Sequence, residues 1–107
     1  MILLLARNNS GVTVPPLLEK EIVNWTADGH SFLIGFLGTG TYSGEFRLYV
    51  GEDSDPYYVY ATSPGNRTSY VADRGIKLAT GTKVSLRVVH EDANDNQLFK
   101  GTILGGA

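Results

Sequence analysis

Glu45-Phe46-Arg47-Leu48-Tyr49-Val50 alternates strictly, sending Phe46, Leu48 and Val50 to one face of an extended chain and Glu45, Arg47 and Tyr49 to the other. Lys83-Val84-Ser85-Leu86-Arg87-Val88 repeats the pattern, with Val84, Leu86 and Val88 inward and Lys83, Ser85 and Arg87 outward. Two strands, each wet on one side and apolar on the other, define an antiparallel sheet with a covered face. Working outward, residues 51–56 carry turn chemistry and residues 57–61 return as a partner strand. Residues 41–62 are thus read as a hairpin with an acidic tip. Residues 31–37 form an almost continuous apolar run ended by Gly38-Thr39-Gly40, a strand buried on both faces or at a subunit contact. Ser63-Pro64-Gly65-Asn66 is a further turn. Short strands are expected at residues 68–72 and 75–78, and residues 97–104 close the domain with Phe99 and Ile103 on one face, before a Gly105-Gly106-Ala107 tail.

Residues 17–25 are open to two readings. Pro15-Pro16 could start a helix, with Leu18, Ile22 and Trp25 at helical spacing, whereas all-β surroundings argue for a strand, which is the reading adopted. Val, Ile, Thr, Phe, Tyr and Trp together make up 34 of the 107 residues, an excess that suits pleated, half-buried surfaces. The expected fold is all-β: one antiparallel β-sandwich of Greek-key or jelly-roll type, about eight strands, spanning residues 1–107, in which residues 1–28 have no assigned place.

The composition excludes several functions. There is no cysteine, which removes disulfide scaffolds, thiolate zinc sites, iron–sulfur clusters and cysteine nucleophiles. Nine Lys and Arg against eleven Asp and Glu leave a net charge of −2, without the positive field that a phosphate backbone demands, so no nucleic-acid partner is expected. The apolar run at residues 2–5 is too short for a signal-peptide core or a membrane span, so no membrane insertion is expected. On that reading the Asn-x-Ser/Thr triplets at Asn8, Asn24 and Asn66 are discounted as glycosylation sites.

Catalysis has little to stand on. His30 and His90 are the two usual bases, and neither lies in a recognisable motif. Gly40-Thr41-Tyr42-Ser43-Gly44 lacks the glycine spacing of a nucleophile elbow, and Gly38-Thr39-Gly40 precedes no helix that would make it a phosphate loop. Oxygen donors cluster at Glu52, Asp53 and Asp55 and again at Glu91, Asp92, Asn94, Asp95 and Asn96. Their spacing misses the EF-hand loop, and Asp and Asn are good turn formers, so no metal or other cofactor is assigned. Tyr57, Tyr58 and Tyr60 crowd one strand, where rings could stack on sugars, although packing on a half-buried strand or at a subunit contact is the stronger reading. Trp25 is read as core or interface.

The strings Ser31-Phe32-Leu33-Ile34-Gly35-Phe36, Glu45 to Gly51, Thr62-Ser63-Pro64, Leu78 to Val88 and Phe99 to Gly106 together resemble small β-sandwich virion proteins of tailed bacteriophages, over residues 29–106. That resemblance implies a non-enzymatic structural or accessory protein of the tail, baseplate or particle surface, located in the virion. Its partners would be copies of itself, a trimer favoured, or other virion proteins. On this reading Leu33, Phe36, Leu37 and Trp25 are the expected interface residues. The alternative is a carbohydrate-binding or receptor-binding module that contacts a cell-surface glycan through Tyr57, Tyr58 and Tyr60.

Overall fold

In the computed structural model, residues 3–29, 31–40, 43–51, 57–62, 67–91 and 96–107 are described, with backbone alone at residues 58, 60–62, 67 and 72–74. Eight strands run in chain order: β1 Leu3–Val14, β2 Glu19–Thr26, β3 Ser31–Gly40, β4 Gly44–Val50, β5 Tyr58–Thr62, β6 Arg67–Leu78, β7 Lys83–His90 and β8 Gln97–Gly106. They form two four-stranded sheets, β1-β8-β3-β6 and β2-β7-β4-β5, in which all neighbours are antiparallel. The pairs β1·β8, β2·β7, β3·β6 and β4·β5 are those of one long antiparallel ribbon bent at β4·β5. Rolling that ribbon up brings β3 beside β8 and β4 beside β7. This is a jelly-roll sandwich.

The alternation seen in the sequence decides which side faces in. Phe46 and Leu48 from β4, Val84, Leu86 and Val88 from β7, Leu33 and Phe36 from β3, and Phe99 and Ile103 from β8 fill the space between the sheets, each at most 1% exposed. The rings of Phe36 and Phe46 stack across the gap at 6.3 Å, and Phe46 meets Phe99 edge-on at 6.0 Å. His90 is fully buried beside Phe99, with ring centroids 5.8 Å apart, and belongs to this core.

Three expectations are corrected. The strands expected at 68–72 and 75–78 are one strand, β6. Val71 pairs with Gly35 and Ile76 with Leu33, so the chain between them makes an excursion while pairing with β3 resumes on either side. The strand count is matched because β1, which the sequence reading did not assign, takes the freed place. Its polar middle hid it: Asn8, Asn9, Ser10 and Gly11 form a bulge between Asn8 and Val12. There Gly11 takes φ +83° and its N–H donates to Asn8 Oδ1 at 2.8 Å, while Asn8 Nδ2 donates to the Ile22 carbonyl in the other sheet at 2.8 Å. Finally, Gly38-Thr39-Gly40 is not a turn and Gly105-Gly106 is not a tail: both continue strands. The reason is steric. A Cβ on Gly38 would lie 2.6 Å from the Phe46 ring, one on Gly40 2.4 Å from Phe99, and one on Gly105 2.7 Å from Trp25.

Candidate functional site

The residues expected to meet other chains divide. Leu33 and Phe36 have no exposure at all, being enclosed between the chain's own sheets, and are corrected from interface to core. Trp25 is half-buried against the core, its ring lying over Gly105. Leu37 alone of the four opens to solvent, at 46%, because the bulge between Leu33 and Gly35 turns the outward side of β3 there. Tyr57 is exposed and its N–H donates to the Leu48 carbonyl at 2.6 Å. Tyr58 and Tyr60 take register positions opposite Leu48 and Phe46, and their side chains lie outside the described residues. The acidic tip at 52–55, Asp92, Asn94, Asp95, His30 and Asn66 also lie outside them. Among the described residues, no group of three His, Cys, Asp or Glu could hold a metal ion.

The outer faces of the two sheets differ in chemistry. On β2-β7-β4-β5, Glu19 accepts from Arg47 Nη1 at 3.1 Å and from the Tyr49 hydroxyl at 2.9 Å, and lies 3.5 Å from Arg87, whose guanidinium covers the Tyr49 ring at 5.3 Å. Arg47 Nε also donates to Glu45 at 2.7 Å, which with Tyr49 and Glu19 raises its already high pKa further. Burial, followed by the bond to Glu19, pushes the Tyr49 phenol up as well. These charges are spent on one another, and they tie the edge strand β2 to β4 and β7.

Glu21 shows the same economy and gives a testable pH effect. Burial by itself raises its carboxyl, but the Ser85 hydroxyl at 2.6 Å, Asn24 Nδ2 at 3.1 Å and the Lys83 ammonium at 3.4 Å outweigh it and hold the group below its ordinary 4.5. An acid depressed in the folded state contributes stability that is present above the unfolded value and lost as pH falls through the folded one. Thermal melts should therefore show wild type losing its advantage over Glu21→Gln as the pH drops below about 4.5. A difference between the two proteins that stays constant across that window would contradict the assignment.

The outer face of β1-β8-β3-β6 holds a groove of about 340 Å³. Arg7, Thr102, Leu37 and Ser69 are register partners in one row across all four strands, and Lys100 and Thr39 pair in the next. Thr39, Ser69, Thr102, Leu37, Lys100 and Asn9 line the groove, and Gly38 and Gly101, themselves cross-strand partners, form part of its floor. A Cβ on Gly101 would lie 2.7 Å from Leu86, and one on Gly38 2.6 Å from Phe46. At these two positions the sheet has no inward side chain, and the opposite sheet's residues reach its backbone. That close approach accounts for a concave outer surface. Hydroxyl groups on three adjacent strands, an apolar side chain and a lysine therefore face one hollow, held by strand pairing rather than by loops.

Sequence reading missed this site. Two of the sequence's four Gly-Thr steps, Gly38-Thr39 and Gly101-Thr102, meet here, each a glycine facing the core followed by a hydroxyl facing solvent, and nothing along the chain sets them apart from the other two.

No protein-family model matches the sequence, and no curated protein matches it. Among solved structures the chain is similar to the CBM36-1 domain of a multidomain xylanase from the hindgut metagenome of Trinervitermes trinervoides, at 13% identity and a TM-score of 0.56, with 98% of each chain covered. At this identity the likeness is one of fold, the β-sandwich.

Proposed function

We propose that this chain is a carbohydrate-binding module and that the groove across β1-β8-β3-β6 receives the sugar chain. The observation that carries the proposal is the groove's lining: Thr39, Ser69 and Thr102 supply hydroxyl donors and acceptors beside the exposed Leu37, the mixture of directional polar groups and apolar contact that a pyranose ring requires. Support of a weaker kind comes from the fold it shares with a carbohydrate-binding module. Tyr57, on the other sheet, is left as a second contact surface.

Thr102→Trp tests the site. Residue 102 faces outward in the central strand β8, so an indole there fills the groove without entering the core. Binding to a glycan array or to polysaccharides in affinity electrophoresis should fall at least about ten-fold, with an unchanged melting temperature, whereas Tyr57→Ala should bind as wild type. If Tyr57→Ala abolishes binding and Thr102→Trp does not, the sugar site is the tyrosine strand.

A second reading, a structural role in an assembly of copies such as a virion accessory protein, draws on Leu3 and Val71, each 60% exposed on this same sheet. Light scattering across a concentration series tests it: a concentration-independent trimer supports it, and a monomer at all concentrations counts against it.

A further inference from the structure

The groove's charge points to a ligand class. Among the residues whose side chains are described, the strand carboxylates all lie on one sheet, whereas cations lie on both. Glu19, Glu21 and Glu45 lie on the outer face of β2-β7-β4-β5, each paired with Arg47, Lys83 or Arg87. No described carboxylate lines the groove on the opposite sheet, whose charged residue is Lys100. Arg7 stands beside it, in register with Thr102 and exposed like its neighbours Leu5 and Leu3 on the outward side of β1. Lys100 and Thr102 are two positions apart along β8, so both cations flank the same hydroxyl-lined hollow at about 7 Å spacing along the strand. Among the described residues neither Lys100 nor Arg7 forms an ion pair, in a chain whose net charge is negative.

From this we infer that the groove recognises an acidic glycan, a chain containing uronic-acid residues, whose carboxylates are met by Lys100 and Arg7 while its hydroxyls bond to Thr39, Ser69 and Thr102. The inference rests on the carbohydrate reading of the same groove and narrows it. A neutral glycan would leave both cations idle at the groove's rim. A carboxylate on every or every few sugars gives each a charge-assisted hydrogen bond, stronger and more selective than a hydroxyl contact. Both cations are solvent-exposed, so their contribution is modest and sensitive to salt.

The test compares oligogalacturonides and glucuronic-acid-substituted xylo-oligosaccharides with the methyl esters of the same oligosaccharides, by calorimetry at low and high salt. Esterification keeps the chain, the ring hydroxyls and the shape and removes only the charge. The acid forms should bind more tightly than the esters by about five-fold or more, the margin should shrink in high salt, and Lys100→Gln with Arg7→Gln should erase it, so that acid and ester bind the double variant alike. Equal binding of acids and esters to wild type would overturn the acidic-glycan assignment and leave the groove as a neutral-sugar site. Failure of every acid and every ester to bind, with Thr102→Trp indistinguishable from wild type, would overturn the carbohydrate reading itself. Binding of a sulfated glycan in place of the carboxylated ones would overturn the carboxylate assignment alone. Both substitutions are on the surface, so circular dichroism melts matching wild type confirm that any loss is a loss of recognition.

Discussion

Gly35→Ala should abolish stable folding, and urea titration of the purified variant should show either no cooperative transition or a midpoint lowered by more than half. A Cβ at residue 35 would lie 1.8 Å from the Tyr70 carbonyl oxygen and 2.8 Å from its carbon. Both atoms are backbone, and residues 35 and 70 sit at the point where β3 and β6 re-register after their bulge, Gly35 pairing with Val71 and Phe36 with Tyr70. A side chain can rotate away from an added methyl; a paired strand cannot. Ordinary overpacking costs about 1–3 kcal/mol, and this contact exceeds it, since relieving it means pulling β6 off the sheet. A chain of this size holds roughly 5–15 kcal/mol in all. Gly29→Ala provides the contrast. Gly29 has φ +61° and nothing within 4 Å of the added methyl, so its cost is conformational alone, about 1–2 kcal/mol. Comparable losses in the two variants would show that steric conflict at β6 is not what makes residue 35 a glycine.

Phe99→Ala should cost about 3–5 kcal/mol, and it should change the sign of a second substitution. The Phe99 ring is fully buried, edge-on to Phe46 and beside His90, and it is also what occupies the space where Gly40 would carry a Cβ: the three nearest atoms to that position all belong to Phe99, at 2.4, 2.5 and 3.5 Å. Gly40→Ala in the wild-type background drives a methyl into that ring and destabilises. In the Phe99→Ala background the obstruction is gone, a cavity has taken its place, and the same methyl partly fills it. The double-mutant cycle should therefore give a favourable coupling at the upper end of the roughly 0.5–3 kcal/mol seen for residues in contact. Additive losses would mean that Gly40 is required for its backbone and not for the ring it faces.

The two predictions share a cause that also explains where sequence reading stopped. Alternation in residues 45–50 and 83–88 was enough to orient β4 and β7, because a period of two with one apolar face is a property of the local chain. Glycine has no such local meaning. Read along the chain, Gly38, Gly40 and Gly105 are punctuation; read across the sandwich, they are the places where Phe46, Phe99 and Trp25 of neighbouring strands meet bare backbone. The same ambiguity placed Leu33 and Phe36 at an interface. An apolar run predicts burial, and whether the chain's own second sheet or another molecule provides the cover depends on which strands stack. The candidate site was less legible still, since its residues come from β1, β3, β6 and β8, which lie far apart in sequence and become neighbours only when the ribbon rolls up.

By itself, then, the sequence determined an all-β chain, the inward faces of its alternating strands, and a composition without cysteine or a strong positive charge. These follow from side-chain period and count, which need no partner. Tertiary structure alone decided the pairing of β8 with β1 and β3, the steric role of the strand glycines, and the gathering of Thr39, Ser69, Lys100 and Thr102 around one groove. The physical reason is that a strand's backbone donors and acceptors are the same at every residue. Which strand satisfies them is settled by the collective burial of both sheets' apolar faces.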